Sequence, residues 1–388
     1  MPGPWDLRSM PFWSSYCIRT SNRLRRKAPL TETTHQRPSI MIWTMRINPA
    51  KRSLFPSAAI AFLIAASISA VAAGQKKDKQ QEKPMAGPRA TILRETPLYV
   101  QPDTSSQKVD RVQEGRELVI AESSGPWIRV YANTDVEEVN EKDVPIYGNE
   151  AAPPPVSGWI QARGVVREST PNGDAVLMGE AATLELLAED ARGPRNAGQA
   201  ARLLYRRLVE FFPNSPLAAQ AAWRAADIRW QFEKADAARL PSAKERDAYL
   251  REQLDESELN KVIKNYPHTK EADNAAFEKI DNKLCGDWQG QPKCPEKESE
   301  IYEKFASEHP DGPRTAQALY QATYRQAVLG DMYAADDSGK KADESRAHAK
   351  ALADQLQKKY PNSDYAERAA SLVFKFEQGI AVYGSDRD

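Results

Sequence analysis

The chain has 388 residues, of which 41% are hydrophobic and 28% charged, and this predicts two or three folded domains and excludes a largely disordered protein. Its formal net charge is zero, but the charge is unevenly distributed. Residues 1–73 carry ten Lys and Arg and two Asp and Glu, whereas the remainder carries 44 basic and 52 acidic residues. An acidic surface repels phosphate backbones and anionic lipids, so we expect no nucleic-acid partner and no peripheral membrane binding.

Residues 45–73 have the pattern of a secretory signal peptide. Three basic residues precede an apolar run over 58–73, and its last four residues are small, as signal peptidase cleavage requires. The pattern predicts export to the periplasm or the cell exterior, with the membrane contacted only transiently through the signal. A retained membrane anchor is the alternative, because the 20 residues of 54–73 are just long enough to span a bilayer.

The segments on either side of this signal are predicted to lack a fold. Residues 1–44 are rich in Pro, Arg and Trp with no helical or strand period, and we expect them to be untranslated or disordered. An unusually long positive region before the signal is the alternative, and it predicts the same exported protein. Residues 74–88 form a charged linker.

The exported part contains two cysteines, Cys285 and Cys294, separated by eight residues that include Gly and Pro. In an oxidising compartment such an even pair favours a disulfide. Two free thiols are one alternative. A metal site completed by His268 or His309 is the other, although two thiols at this spacing lack the paired CxxC clusters that zinc prefers.

Residues 89–168 change to short alternating runs bounded by turn residues, which is typical of a small β-domain. An acidic, Pro-containing insertion occupies 132–157, and loop entropy grows slowly enough with length for a small domain to tolerate it. Six strands are predicted, over 90–93, 98–100, 108–112, 117–121, 127–131 and 158–162.

The order of these runs resembles the bacterial SH3-like domain family. The resemblance is carried by Leu98-Tyr99-Val100 before a Pro/Ser-rich turn, by Gly125-Pro126-Trp127, and by the closing Gly158-Trp159-Ile160. It implies a small all-β barrel that binds cell-wall peptides or other proteins. Core and rim packing of the aromatic residues is the alternative to a ligand groove. The candidate groove residues are Tyr99, Trp127, Tyr131 and Trp159.

A linker over 169–176 leads into a segment, 177–388, that is rich in Ala, Leu, Glu, Arg and Lys and has a 3.6-residue period, so this part is predicted to be helical. A four-fold element repeats within it. Its copies are Phe212-Pro213-Asn214-Ser215, Tyr266-Pro267-His268-Thr269, His309-Pro310-Asp311-Gly312 and Tyr360-Pro361-Asn362-Ser363.

Aligning the copies on their prolines reveals four further equivalent positions, two in the preceding helix and two in the following one. The residue eight after the proline is always Ala, and the residue five before it is always large and apolar. The aligned sets are Ala221, Ala275, Ala318 and Ala369 at eight after; Ala218, Ala272, Thr315 and Ala366 at five after; Leu208, Val262, Phe305 and Leu356 at five before; and Tyr205, Leu259, Tyr302 and Ala353 at eight before.

These positions predict helical hairpins. Each proline ends one helix because it disfavours helical backbone at the residue before it, and Ser215, Thr269 and Ser363 are predicted to N-cap the next helix. The copies resemble tetratricopeptide-like repeats, particularly the form found in outer-membrane assembly lipoproteins (BamD-like). The resemblance implies an α-solenoid that binds a protein partner. Spacings of 54, 43 and 51 residues between the prolines exceed the usual 34, which predicts longer helices or inserted loops.

The exported part offers few residues for catalysis. It contains three histidines, and none has a nucleophile or metal-binding motif beside it. We therefore predict no catalytic, cofactor-binding or metal-binding residues and no cofactor. The leading hypothesis is a cell-envelope scaffold whose helical repeats bind an envelope protein and whose SH3-like barrel contacts peptidoglycan or another envelope protein. The alternatives are a peptidoglycan-acting enzyme with an unrecognised carboxylate site, and a structural spacer.

Overall fold

The computed structural model describes residues 87–135 and 155–383. The predicted signal peptide, the residues before it and nearly all of the linker after it lie outside the described residues, as does most of the predicted insertion. Within the described ranges, an antiparallel sheet is followed by a set of α-helices, so the chain combines a β-domain with a helical domain. No helix in this part of the chain has the length and the apolar character needed to span a membrane.

Seven antiparallel strands form the β-domain in the described part of the chain. They are β1 (Arg89–Ile92), β2 (Thr96–Tyr99), β3 (Lys108–Val112), β4 (Glu117–Ser124), β5 (Trp127–Ala132), β6 (Ser157–Gln161) and β7 (Val165–Arg167). Their order in the sheet is β3-β2-β6-β5-β4-β1-β7. The six predicted strands are present with ends shifted by at most three residues, whereas β7 was not predicted because three residues are too few to establish a period.

The alternation of side chains along the strands separates a core face from an outer face. On β5, Ile128 and Val130 are buried and Arg129 between them is exposed. The buried side chains of β1, β2, β4, β5 and β6 form one apolar cluster that includes Leu98, Leu118 and Ile160. The sheet therefore has its own hydrophobic core.

Nine α-helices follow in the described residues, and the first begins four residues earlier than predicted, inside the predicted 169–176 linker. They are α1 (Gly173–Glu189), α2 (Ala197–Phe211), α3 (Ala218–Ala237), α4 (Ser257–Asn265), α5 (Lys270–Glu278), α6 (Lys293–Glu308), α7 (Thr315–Ala335), α8 (Gly339–Lys359) and α9 (Asp364–Glu377).

The four repeat prolines end helices α2, α4, α6 and α8, as the sequence predicts. In each copy the residue before the proline has φ between −123° and −130° and ψ between 54° and 60°. Its backbone N–H still donates to the carbonyl four residues earlier, at 2.8 to 3.0 Å. The near-identical geometry shows that the four turns are structurally equivalent.

The sixteen aligned residues are all buried. None is more than 6% exposed, and the alanine eight residues after the proline is 0% exposed in all four copies. A methyl group at this position lets the preceding helix approach closely, because a larger side chain would fill the space that its Tyr, Leu or Phe occupies. The repeated pattern in the sequence therefore corresponds to the packing contacts between the helices.

The predicted helix caps are confirmed at two positions and wrong at a third. The Thr269 hydroxyl oxygen accepts the N–H of Ala272 at 3.2 Å, and Ser363 caps α9. Helix α3, however, begins three residues after Ser215, whose hydroxyl donates to Asp174 on α1 at 2.6 Å and accepts the N–H of Leu217, which still lies before the helix, at 3.1 Å. The Ser-Pro-Leu segment forms a turn there before the helix starts.

Apolar cores follow one another along the helical domain. The first joins α1, α2 and α3, the second joins α3, α4 and α5, and a third extends from the end of α5 to α9. Among the helices that follow a proline, α3 packs on α5 and α7 packs on α9. Each helix therefore packs mainly on its near neighbours in sequence, and the described helices do not surround one common centre.

The sheet docks on helix α2 through a close backbone approach. Gly115 has φ of 74°, and a Cβ atom there would lie 2.6 Å from Cβ of Leu203, so only glycine fits. The buried guanidinium of Arg207 donates from Nε to the Gly115 carbonyl at 2.9 Å. Val166 of β7 belongs to the core of α1, α2 and α3, so the two domains also share apolar contacts.

Candidate functional site

The four predicted groove residues lie together on the outer face of strands β2, β6 and β5. Tyr99 is the cross-strand partner of Trp159, and Trp159 is the partner of Arg129. Trp127 and Tyr131 stand two residues on either side of Arg129, so they share its face of the sheet. The structure thus brings the four aromatic residues together around one arginine, and we call these five residues the aromatic face.

Three of the four rings of the aromatic face are only partly covered, and the fourth, Tyr99, is buried. Tyr99 is 9% exposed and meets Trp127 edge to face, with ring centroids 5.6 Å apart. Trp127, Tyr131 and Trp159 are half-buried, and the guanidinium of Arg129 is exposed. The apolar cluster of the sheet is built without any of these residues. The face can therefore stack a ring or an apolar group and donate hydrogen bonds from Arg129 beside it.

A second feature, which was not predicted, is a row of ionisable side chains between α1, α3, α5 and the start of α7. Arg224 of α3 lies between two carboxylates, Glu185 of α1 and Asp227 one turn further along α3. The Tyr205 hydroxyl donates to the same Glu185 at 2.8 Å. The row thus connects three successive helices by charged hydrogen bonds.

Glu278 lies at the centre of this row. Burial, with smaller contributions from the neighbouring carboxyl groups of Asp227 and Asp281, raises the pKa of its carboxyl to about 8, and Arg314 and Lys234 oppose the shift. The Arg314 guanidinium is 3.6 Å from Glu278 Oε1. A carboxyl whose pKa is raised in this way holds its proton to a higher pH than a solvated carboxyl, and in its protonated form it can donate a hydrogen bond.

The repeat alignment contains the signal that locates this row. Arg224 and Glu278 occupy the same repeat position, eleven residues after their prolines, and Gln321 occupies it in the third copy. Equivalent positions on successive hairpins lie side by side, so the three polar side chains are predicted to line one face. This shared face is not visible when each acidic residue is considered separately, because acidic residues at helical spacing are also typical of a solvated helix surface.

The cysteine prediction is confirmed, because Cys285 and Cys294 form a disulfide. The alternatives of free thiols and of a metal site on these sulfurs are therefore wrong. Among the described residues, no three His, Cys, Asp or Glu side chains form a cluster that could hold a metal ion.

The three histidines among the described residues have separate surroundings. His309 stacks on Phe305 with centroids 4.6 Å apart, and its Nδ1 is 2.7 Å from Asp273 Oδ1. His348 lies 3.1 Å from Glu303, and His268 is exposed in its turn with φ of 62°. His309 thus fills the position where the other repeats place Tyr or Phe, as its place in the alignment predicts.

These elements define a two-domain protein, in which an antiparallel sheet with an aromatic outer face docks on a row of helix pairs. No protein-family model matches the chain, and no curated protein matches it significantly.

Proposed function

We propose that this protein is an exported cell-envelope adaptor. Its sheet acts as an SH3-like barrel that contacts the cell wall or an envelope protein, and its helices act as a tetratricopeptide-like solenoid that holds a protein partner. The observation that supports this most is the four-fold repeat whose sixteen aligned positions are all buried. Stacked hairpins of this kind bury their apolar surface against one another and leave an extended face for binding.

The aromatic face is the surface of the β-domain that we assign to ligand binding. Trp127, Tyr131 and Trp159 expose ring surface at the side of the sheet opposite the core. Large aromatic rings provide binding area at low cost in side-chain entropy, and an exposed arginine adds hydrogen bonds that orient the ligand. The peptides and the sugar rings of the cell wall have both apolar faces and hydrogen-bonding groups, so such a surface can bind them.

The layer formed by α3, α5, α7 and α9 is the inner face of the solenoid in this proposal. Direct packing of α3 on α5 and of α7 on α9 supports this choice, because the described helices that end at the repeat prolines show no comparable packing on one another. The row of charges around Glu278 holds the layer in register.

Binding to purified peptidoglycan tests the part assigned to the sheet. Sedimentation of the protein with insoluble peptidoglycan, or retention on it, is expected to fall in Trp127→Ala and Trp159→Ala. Phe374→Ala is the matched control, because Phe374 is an aromatic residue of α9 that is 61% exposed. Equal binding by all four proteins would remove peptidoglycan as the ligand of the aromatic face.

Crosslinking in intact cells tests the part assigned to the helices. A photo-crosslinker on the inner layer, at Gln321 of α7, is expected to capture a defined envelope protein, whereas a crosslinker at exposed Lys358 of α8 is not. Cell fractionation and N-terminal sequencing test export, with a mature start just after residue 72 or 73 expected. A protein that remains in the cytoplasm with residue 1 intact would contradict the proposal.

The raised pKa of Glu278 favours one second candidate, an enzyme that cleaves peptidoglycan. A carboxyl whose pKa is raised toward the neutral range, with two further carboxyl groups beside it, is an arrangement that a general acid can use. Incubation with purified peptidoglycan decides between the two functions. Release of soluble fragments that is lost in Glu278→Gln would establish the enzyme, and release of nothing would leave the adaptor.

A further inference from the structure

A cleft of about 880 Å³ lies between helix α6 and the segment that includes 247–253. Its floor is apolar and comes from α4, α5, the short 3-10 helix over 279–283 and α6. Tyr249, which stands on the rim, is 77% exposed. The floor residues are Ile263, Ala276, Ile280, Ile301 and Phe305.

The rim of the cleft is basic. Five lysines line it against two carboxylates, Asp247 and Glu308. Lys293, Lys297 and Lys304 share one face of α6, because they are spaced by four and seven residues. The lysines of the rim are Lys279, Lys283, Lys293, Lys297 and Lys304.

Most of this positive charge is not neutralised within the described residues. Lys279 pairs with Glu256 at 3.0 Å, and Lys304 is 3.8 Å from Glu308. The other three rim lysines are exposed and make no ion pair with any described side chain. The chain after residue 73 is acidic as a whole, so this concentration of lysine around an apolar floor is a local positive patch that favours an anionic partner.

The disulfide holds one wall of the cleft in place. Cys285 and Cys294 both line the cleft, and the loop that they close hydrogen-bonds to the opposite wall. The Gly286 N–H donates to the Glu245 carbonyl at 3.1 Å, and Arg251 donates from Nη1 to the Leu284 carbonyl at 2.9 Å. The distance between α6 and the 245–251 wall therefore depends on the closed loop.

We propose that this cleft binds an acidic, amphipathic peptide segment of a partner protein, and that the disulfide keeps the cleft in its binding form. Apolar side chains of the peptide occupy the floor, and its carboxylates lie among the rim lysines. The inference rests on the proposed function, because it names the chemistry of the partner that the helical domain holds. An apolar floor inside a charged rim matches the general design of helix-in-groove recognition.

A synthetic peptide tests the proposal directly. The probe is a fluorescein-labelled amphipathic helix with Leu at the apolar positions and Glu at the polar ones, and a matched peptide carries Lys in place of Glu. Fluorescence anisotropy with the oxidised, purified protein is expected to show saturable binding of the Glu peptide that weakens with salt, and no binding of the Lys peptide. Failure of the Glu peptide to bind at millimolar protein concentration would overturn the proposal.

Variants locate the binding to the cleft. Lys293→Glu/Lys297→Glu is expected to weaken binding by about tenfold or more, because two attractive charges become repulsive. Lys340→Glu/Lys358→Glu changes the same net charge at exposed sites on α8 and is the matched control. Tyr249→Ala, at a side chain too exposed to affect folding, is expected to weaken binding several-fold. Equal effects of the two double variants would show unspecific attraction and refute the site.

The disulfide is tested by Cys285→Ser/Cys294→Ser, with far-UV circular dichroism to confirm that the helices remain. Binding several-fold weaker than that of the oxidised protein is expected, and unchanged binding would refute the role of the disulfide. The outcome is separable from the proposed function. If cellular crosslinks place a partner on the helical domain but the cleft binds no acidic peptide, only this inference fails. If the peptide binds but no envelope partner is captured, the adaptor function fails.

Discussion

Replacement of Arg207 is expected to weaken the joint between the β-domain and the helices. Its guanidinium is almost completely buried and donates to the Gly115 carbonyl of the sheet and to the carboxylates of Asp135 and Glu210. In Arg207→Met the aliphatic part of the side chain is kept, and these hydrogen bonds are lost. Arg207→Lys keeps the charge, but its three donors sit on one nitrogen and cannot reach acceptors that the guanidinium contacts from three separate nitrogens, so it restores only part of the loss.

The structure sets the size of the effect. Removing one partner of a buried hydrogen bond costs about 1–3 kcal/mol, because the group left behind is desolvated. The Gly115 carbonyl loses its donor in this way. Asp135 loses less, because it still accepts from Arg116 Nε at 2.7 Å and from the Glu117 N–H at 3.3 Å. We therefore expect Arg207→Met to lower the free energy of unfolding by about 2–4 kcal/mol.

Urea denaturation measures this change, with tryptophan fluorescence and far-UV circular dichroism recorded on the same samples. Arg239→Ala is the control, since Arg239 forms an ion pair with Asp236 at 3.2 Å in which both side chains are largely exposed. Such exposed pairs contribute about 0.5 kcal/mol or less. If Arg207→Met costs no more than Arg239→Ala, the proposed role of Arg207 at the domain joint is wrong.

Three further predictions concern the helical domain. Ala275→Leu is expected to cost about 1–3 kcal/mol in chemical denaturation, because the position is fully buried, whereas Ala351→Leu on the exposed side of α8 is expected to change little. Glu278→Gln is expected to raise the melting temperature relative to the natural protein near pH 8.5 but not near pH 4. The reason is that the pKa of this carboxyl is raised from 4.5 to about 8 on folding. As the pH rises between those values the unfolded form ionises more readily, so the free energy of unfolding falls. Reduction of the Cys285–Cys294 disulfide, or its replacement by two serines, is expected to lower the free energy of unfolding by about 2–3 kcal/mol for a loop of this length.

The sequence predicts the helix pairs well because the residues that pack them recur at the same positions in every repeat. A proline ends a helix for local steric reasons, and a fully buried alanine marks a close helix contact, so the same residues recur wherever the same geometry is required. The start of α3 was predicted less well. Ser215 has the type of an N-cap residue, but its hydroxyl accepts the Leu217 N–H in a turn before the helix. It also donates to Asp174, a residue 41 positions earlier that no local pattern could associate with it.

The candidate sites were predicted unevenly for a similar reason. The aromatic face could be found because alternate residues of one strand share a face, and Trp127 and Tyr131 lie on the same strand. The basic cleft was not found, because its rim combines lysines of α6 with those of the segment after α5, and the sequence does not show which segments meet. Lys293 and Lys297 alone, one helical turn apart, do not differ from an ordinary solvated helix face.

Because the two domains are docked on each other, their functions must be tested separately by point variants in the intact chain and not by isolated fragments. A helical fragment without the sheet would expose the apolar surface that packs on Val166 and would leave the Arg207 guanidinium without Gly115 and Asp135. Loss of binding by such a fragment would thus report a broken interface as well as a missing ligand site. Point variants in the intact chain avoid this, because Trp127 lies on the outer face of the sheet and Lys293 lies on α6, so a change at either leaves the joint intact. Loss of peptidoglycan binding at Trp127 with unchanged peptide binding at the cleft, and the reverse at Lys293, is the result expected of two independent recognition surfaces on one chain.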